Sequence, residues 1–132
     1  MEKKIRKRDI KLSDLNISNA KYNELKYFCL QYDEKKQEIQ NNYGIKASAR
    51  DGMTRSNTFG SPTEQAAIRN VMLEQDLEMI EQAVMVADAD VYKWLLKSVT
   101  QGISYEWMDV PMGRRQFYEV RRYFFYLLAQ KR

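Results

Sequence analysis

Apolar residues in this chain recur at spacings of three and four, and no stretch alternates strictly between apolar and polar. That pattern predicts helices and no sheet strand. Ser18 or Asn19 caps the first helix, which extends to about Tyr43. Its stripe is Tyr22, Leu25, Cys29, Tyr32, Ile39 and Tyr43, with Lys36 as the gap. Aromatic residues at this spacing point to a packed helix face before a ligand box. Gly44 stands where a left-handed C-terminal cap belongs. Residues 44–61 lose the period and are rich in Gly, Ser and Thr, which predicts a long loop. Lys46, Arg50 and Arg55 would let that loop touch phosphates, and a flexible linker is its plainer reading.

The next helix has the clearest start in the chain. In Ser61-Pro62-Thr63-Glu64 the serine caps, the proline sits where its missing N–H costs nothing, and Glu64 completes a capping box. The helix is expected to run from Pro62 to about Ala87. Ile68, Val71, Met72, Ile80 and Val84, joined by Leu73, Leu77, Met79 and Met85, make its apolar stripe wide. A wide stripe predicts more than one neighbour, either as the centre of the domain or as the seam of a homodimer through residues 62–87. Asp88-Ala89-Asp90 then breaks the pattern and caps a helix from Val91 to about Thr100, with Val91, Trp94, Leu95 and Val99 inward.

Beyond Thr100 the pattern becomes helix, short helix, turn, long helix. Gly102 ends one helix, Ser104 caps a short one, and Asp109-Val110-Pro111-Met112-Gly113 forms a tight turn. The last helix starts at Arg114, with Phe117, Val120, Phe124 and Leu127/Leu128 inward. Its other sides carry Arg114, Arg115, Gln116, Tyr118, Arg121 and Arg122. This order is that of a helix-turn-helix, whose second helix enters the major groove of DNA. Arg114 and Arg115 occupy the first turn, where the helix dipole makes each cation cost a few tenths of a kcal/mol. A sequence that tolerates this cost is suited to an anionic partner. The guanidinium fork fits guanine or phosphate, Gln116 fits adenine, and Arg121 and Arg122 lie further along, suited to backbone phosphates. A solvated basic helix end is the rival reading of the same residues.

Charge distribution adds to this picture. The net charge is +4, but residues 1–12 carry +4, residues 64–90 carry −6 and residues 113–132 carry +5. Residues 1–17 read as a basic arm, and Lys3, Lys4, Arg6, Lys7 and Arg8 are possible phosphate contacts there, with Arg50 and Arg55 in the loop. The chain thus divides into a basic arm (1–17), a helix with a flexible loop (18–61) and a helical core with the helix-turn-helix (62–132). At 132 residues and 44% hydrophobic it is long enough to fold as one domain.

Missing residue types limit the chemistry. There is no histidine and one cysteine, Cys29, so triad catalysis and a structural zinc site have no residues to build on. The five glycines are scattered singly, so no phosphate loop appears. Glu74, Glu78 and Glu81 lie at helical spacing, but nothing converges on them, and a solvated helix face is the reading they support. No cofactor, no metal and no enzymatic activity are expected. No apolar run is long enough for a membrane helix, no secretory signal is visible, and a lone cysteine suits a reducing cytoplasm.

The stretches Val99-Thr100-Gln101-Gly102-Ile103-Ser104-Tyr105-Glu106-Trp107-Met108 and Gly113-Arg114-Arg115-Gln116-Phe117-Tyr118 resemble the helix-turn-helix of sigma-factor region four. They are similar in particular to its version in the RinA/ArpU family of phage transcriptional regulators. Tyr22 to Tyr32 also resembles the first helix of those proteins. The motif-level likeness covers about 35 residues. One departure stands out: Val110-Pro111-Met112-Gly113 replaces the usual Gly-Ile/Val-Ser turn. The resemblance implies an α-helical fold, sequence-specific binding of double-stranded DNA and control of phage genes, with RNA polymerase as a possible partner. The expectation is therefore an all-α, DNA-binding regulator of phage or prophage origin. A terminase small subunit, assembling through the central helices, is the first alternative. An inhibitor of a host nucleic-acid enzyme, using the acidic 64–90 face as a phosphate mimic, is the second.

Overall fold

The computed structural model describes residues 17–49 and 62–132. Among them every regular element is helical and no strand occurs, so the all-α expectation holds. The helices are α1 (Asn19–Leu30), α2 (Tyr32–Ala49), α3 (Pro62–Ala87), α4 (Tyr92–Gln101) and α5 (Arg114–Lys131), with a 3-10 turn at Tyr105–Trp107. The basic arm with Lys3, Lys4, Arg6, Lys7 and Arg8, the cap residue Ser61, and Arg50 and Arg55 lie outside the described residues.

The chain forms two compact units. One gathers α1, the part of α3 from Met79 onward, α4, the 3-10 turn and α5; the other holds α2 and α3 up to Glu78.

In the first unit, Ser18 opens α1 as expected: its Oγ accepts a hydrogen bond from the Lys21 backbone N–H at 3.0 Å. The expected single helix from 18 to 43 is instead two. It breaks at Gln31, which sits at φ −85°, ψ 0°, a bridge conformation that any residue can take and no breaker residue marks. Leu25, Phe28 and Cys29 form the buried face of α1, and Tyr22 is only half-buried. Along the end of α3, Ile80, Ala83, Val84 and Ala87 are buried at spacings of three, one and three, a single helical stripe. Met85 was expected to join them but is exposed.

Asp88 and Asp90 do not cap α4 directly. Asp88 Oδ1 accepts from the Asp90 N–H at 2.9 Å, which turns the chain, and buried Val91 takes the cap position. Val91, Leu95 and Val99 then face inward as expected, while Trp94 is half-buried. The Thr100 hydroxyl, also buried, donates to the Leu96 carbonyl at 2.6 Å. Helices α1, α4 and α5 meet pairwise.

Gly102 closes α4 with φ +69°, and its N–H donates to the Ser98 carbonyl at 3.1 Å. A Cβ there would meet Leu30 Cδ2 at an ordinary 3.8 Å, so space is not the constraint. Backbone strain is. Gly102→Ala is expected to cost about 1–2 kcal/mol, read as a lower urea midpoint at unchanged slope; an unmoved midpoint would mean that this turn is not left-handed in solution.

The far end of α5 is tied back to α1. The Glu24 carboxylate accepts from Lys21 Nζ at 3.0 Å and from Arg132 Nε. The Arg132 guanidinium lies 3.9 Å from the centre of the Phe28 ring. Those two hydrogen bonds, Lys21 first, hold the Glu24 carboxyl below its ordinary value. A carboxyl lowered by folding adds stability above its unfolded pKa, and that stability is lost as pH falls through the lowered folded value. The thermal midpoints of the parent and Glu24→Gln should therefore differ at neutral pH and converge under acid. Because this pair is open to water, the difference is small.

In the second unit, α2 and α3 run antiparallel. Lys35 pairs with Asp76 at 3.0 Å, Arg69 with Glu38 at 3.1 Å, and Asn42 donates to the buried Asn70 side chain at 2.9 Å. The Glu38 carboxylate raises the Arg69 pKa further above its already high value, chiefly by hydrogen bonding. Tyr32 and Ile39 are buried as expected, but Tyr43 is exposed. Helix α2 also continues through Gly44 to Ala49, so Gly44 is not its cap and the loop does not start there. Glycine costs about 1 kcal/mol inside a helix but does not forbid one. Ala66, Asn70, Leu73 and Leu77 are the buried positions of this part of α3. Ile68, Val71 and Met72, expected to supply packing surface, are exposed.

Candidate nucleic-acid interface

The segment from Gly102 to the first turn of α5 is built around one tyrosine. The Tyr105 hydroxyl donates to the Met112 carbonyl at 2.6 Å, and its ring lies 5.7 Å from that of Phe117. Phe117 is fully buried, so the 3-10 turn is anchored to the inward face of α5. Backbone bonds from Trp107 N–H to the Ser104 carbonyl at 3.0 Å and from Met108 N–H to the Tyr105 carbonyl at 3.1 Å close that turn. The expected short helix is thus a single 3-10 turn of three residues. Ser104 precedes it without a side-chain cap.

Helix α5 begins at Arg114 behind Gly113, which has extended backbone and offers no side chain to cap the first N–H groups. The first turn holds no acidic residue. Its inward face buries Phe117, Val120, Phe124, Phe125 and Leu128. Phe125 joins the expected set, and Leu127 is only half-buried. Phe124 and Phe125 meet edge to face at 5.0 Å, and Tyr22 of α1 meets Phe125 at 5.1 Å.

Arg114, Arg115 and Gln116 are all exposed on the first turn. Arg114 pairs with Glu106 of the 3-10 turn at 3.1 Å and lies 5.5 Å from the Tyr118 ring centre. The Arg115 side chain is 95% exposed and reaches Glu119 at 3.7 Å, whose own side chain is only 12% exposed. Tyr118 is half-buried, its ring centre 6.0 Å from that of Phe117 at an interplanar angle of 71°.

Arg121 and Arg122 are half-buried, two turns further on. The Arg121 guanidinium lies 5.1 Å from the centre of the Phe125 ring and donates to the Tyr22 hydroxyl at 3.4 Å. It is therefore engaged in joining α5 to α1. The six residues read from sequence separate into an exposed triplet at the helix start and three half-buried residues behind it.

Trp107 escaped the sequence reading. It is 84% exposed, the most exposed of the large hydrophobic side chains among the described residues. Composition and spacing carry no sign of this, because a tryptophan beside a helix start is more often packed.

Among the described residues, no group of three or more His, Cys, Asp or Glu side chains is placed to hold a metal ion, and no helix is long and apolar enough to cross a membrane. No family model matches this chain, and neither does any curated protein or solved structure.

Proposed function

We propose that this chain binds double-stranded DNA sequence-specifically through the first turn of α5, as a transcriptional regulator of phage or prophage genes acting in the cytoplasm. One observation carries the reading. Helix α5 buries a continuous aromatic and aliphatic face while Arg114, Arg115 and Gln116 stand exposed together at its uncapped start. A recognition helix needs that division: one face fixes it to the body, and its N-terminal residues reach base edges. Residues 102–113, with the 3-10 turn among them, lie between α4 and α5, and the helix-turn-helix reading takes this longer segment as its connection. The local likeness to sigma-factor region four supports the same assignment.

Arginine at that position meets guanine O6/N7 or phosphate with a planar fork, and Gln116 can read adenine. In the free protein Glu106 partly neutralises Arg114. That exposed pair is weak and yields to a phosphate or base at little cost. RNA polymerase remains a proposed second partner of a regulator of this kind.

The test is duplex affinity measured over a salt series. Binding through cations falls steeply, with log K decreasing by roughly 0.9 per neutralised phosphate for each unit of log salt. Binding that is absent, or flat across the series, would sink the reading.

A packaging subunit is favoured over a regulator by one feature only, the exposed Ile68, Val71 and Met72 on α3. Such residues suit self-association through the 62–87 helix. A ring-sized mass in solution would select that alternative; a monomer or dimer would not.

A further inference from the structure

Trp107 is a large aromatic side chain held in water on a backbone that is itself fixed. The 3-10 turn that carries it is clamped by the Tyr105 hydroxyl on the Met112 carbonyl at 2.6 Å and by the Tyr105 ring on Phe117. Its chain neighbour Glu106 reaches Arg114 at 3.1 Å, which ties the turn to the cationic start of α5. An 84% exposed indole thus adjoins in the chain the residue that pairs with Arg114, and Arg115, whose side chain is 95% exposed, follows Arg114. A partner that satisfies both must offer flat apolar rings and negative charge side by side. Nucleic acid does so, with bases and phosphates a few ångströms apart.

We propose that Trp107 is a stacking wedge, which sets its indole against a DNA base at an opened base-pair step while Arg114 and Arg115 hold the flanking backbone or base edges. The inference rests on the DNA-binding reading and adds to it a contact through ring faces. Apolar wedges inserted from the minor groove partly unstack a step and kink the duplex; here the wedge would enter beside a helix read as lying in the major groove.

The experiment uses the full chain carrying Trp94→Phe, so that Trp107 is the only emitting indole. It is titrated with a mixed-sequence 20-base-pair duplex and, separately, with heparin, which supplies the charge without bases. Duplex is expected to quench the Trp107 emission, whereas heparin at saturating charge leaves it nearly unchanged. Trp107→Ala should weaken duplex binding about 5- to 150-fold, the range of a stacked aromatic, and Trp107→Phe should retain most of the affinity. Arg114→Ala with Arg115→Ala is measured in parallel to separate the two layers. If that pair is needed for binding while the indole is not quenched and Trp107→Ala binds like the parent, the wedge is overturned, the DNA reading stands, and the indole belongs to a protein contact. Equal quenching by heparin also overturns the wedge. If neither substitution affects affinity, both readings fall.

Discussion

Phe124→Ala should lower the unfolding free energy by about 3–5 kcal/mol, the range for truncating a fully buried phenylalanine. Phe124 has no measurable exposure and meets Phe125 edge to face at 5.0 Å. Phe125 in turn meets Tyr22, and Arg121 lies over it. A hole at 124 therefore sits behind the aromatic group that joins α5 to α1, and relaxation into it is opposed by the rings around it. A domain of this size has about 5–15 kcal/mol of stability in all, so this loss is a large part of the total. Phe124→Leu keeps most of the volume and is expected to cost less than about 1.5 kcal/mol. It remains measurable even where the alanine variant does not fold. Urea unfolding followed by circular dichroism reads both. Midpoints that stay at the parent value for both variants would mean that α5 is not docked by this face, and the exposed triplet at its start would lose its support.

That docking face was largely legible in the sequence, and the reason is physical. Phe117, Val120 and Phe124 are spaced three and four apart, and in a helix that spacing alone brings side chains to one side. Phe125 was missed because adjacent positions differ by about 100°, and only a neighbour on α1, Tyr22, decides that this one is covered. The ends of α3 and α4 were legible for a similar reason. Pro62 can start a helix but not continue one, and Gly102 takes the left-handed backbone that other residues resist.

Other features depend on who stands opposite, and residue types do not record that. Ile68, Val71 and Met72 fall at helical spacing, yet they are exposed while the smaller Ala66 and the polar Asn70 are buried. Asn70 is buried because Asn42 donates to it across the antiparallel pair. The break at Gln31 was illegible because one residue in a bridge conformation needs no breaker. At the candidate site the exposed cations were legible from their place in the first turn. Trp107 was not, since its exposure follows from Tyr105 holding the turn against Phe117.

Arg114→Ala combined with Arg115→Ala should weaken duplex binding by at least about 1–3 kcal/mol, the range for losing an arginine that contacts a base. Where the two arginines meet phosphates instead, the slope of log affinity against log salt should shrink by up to about 2. The two results are distinguishable. Base contacts appear as relaxed sequence preference at unchanged slope, and phosphate contacts as a uniform loss with a shallower slope. The fold should survive the change. Arg114 and Arg115 are exposed cations at the positive end of a helix dipole, so removing them relieves a cost of a few tenths of a kcal/mol each. What is lost is an exposed pair with Glu106 and a 3.7 Å contact to Glu119. The first is weak at such exposure; the second takes a cation from the Glu119 carboxylate, whose side chain is only 12% exposed, so a modest fall in the urea midpoint is expected from Arg115→Ala. Circular dichroism should stay near the parent, which keeps a loss of binding from being a loss of folding. Arg121→Ala is the contrasting variant. Its guanidinium already serves Phe125 and Tyr22, so its removal is expected to lower stability more than it alters the salt slope. If the double variant keeps both the parent affinity and the parent slope while Arg121→Ala loses them, the DNA-facing side of α5 lies two turns from where its uncapped start places it.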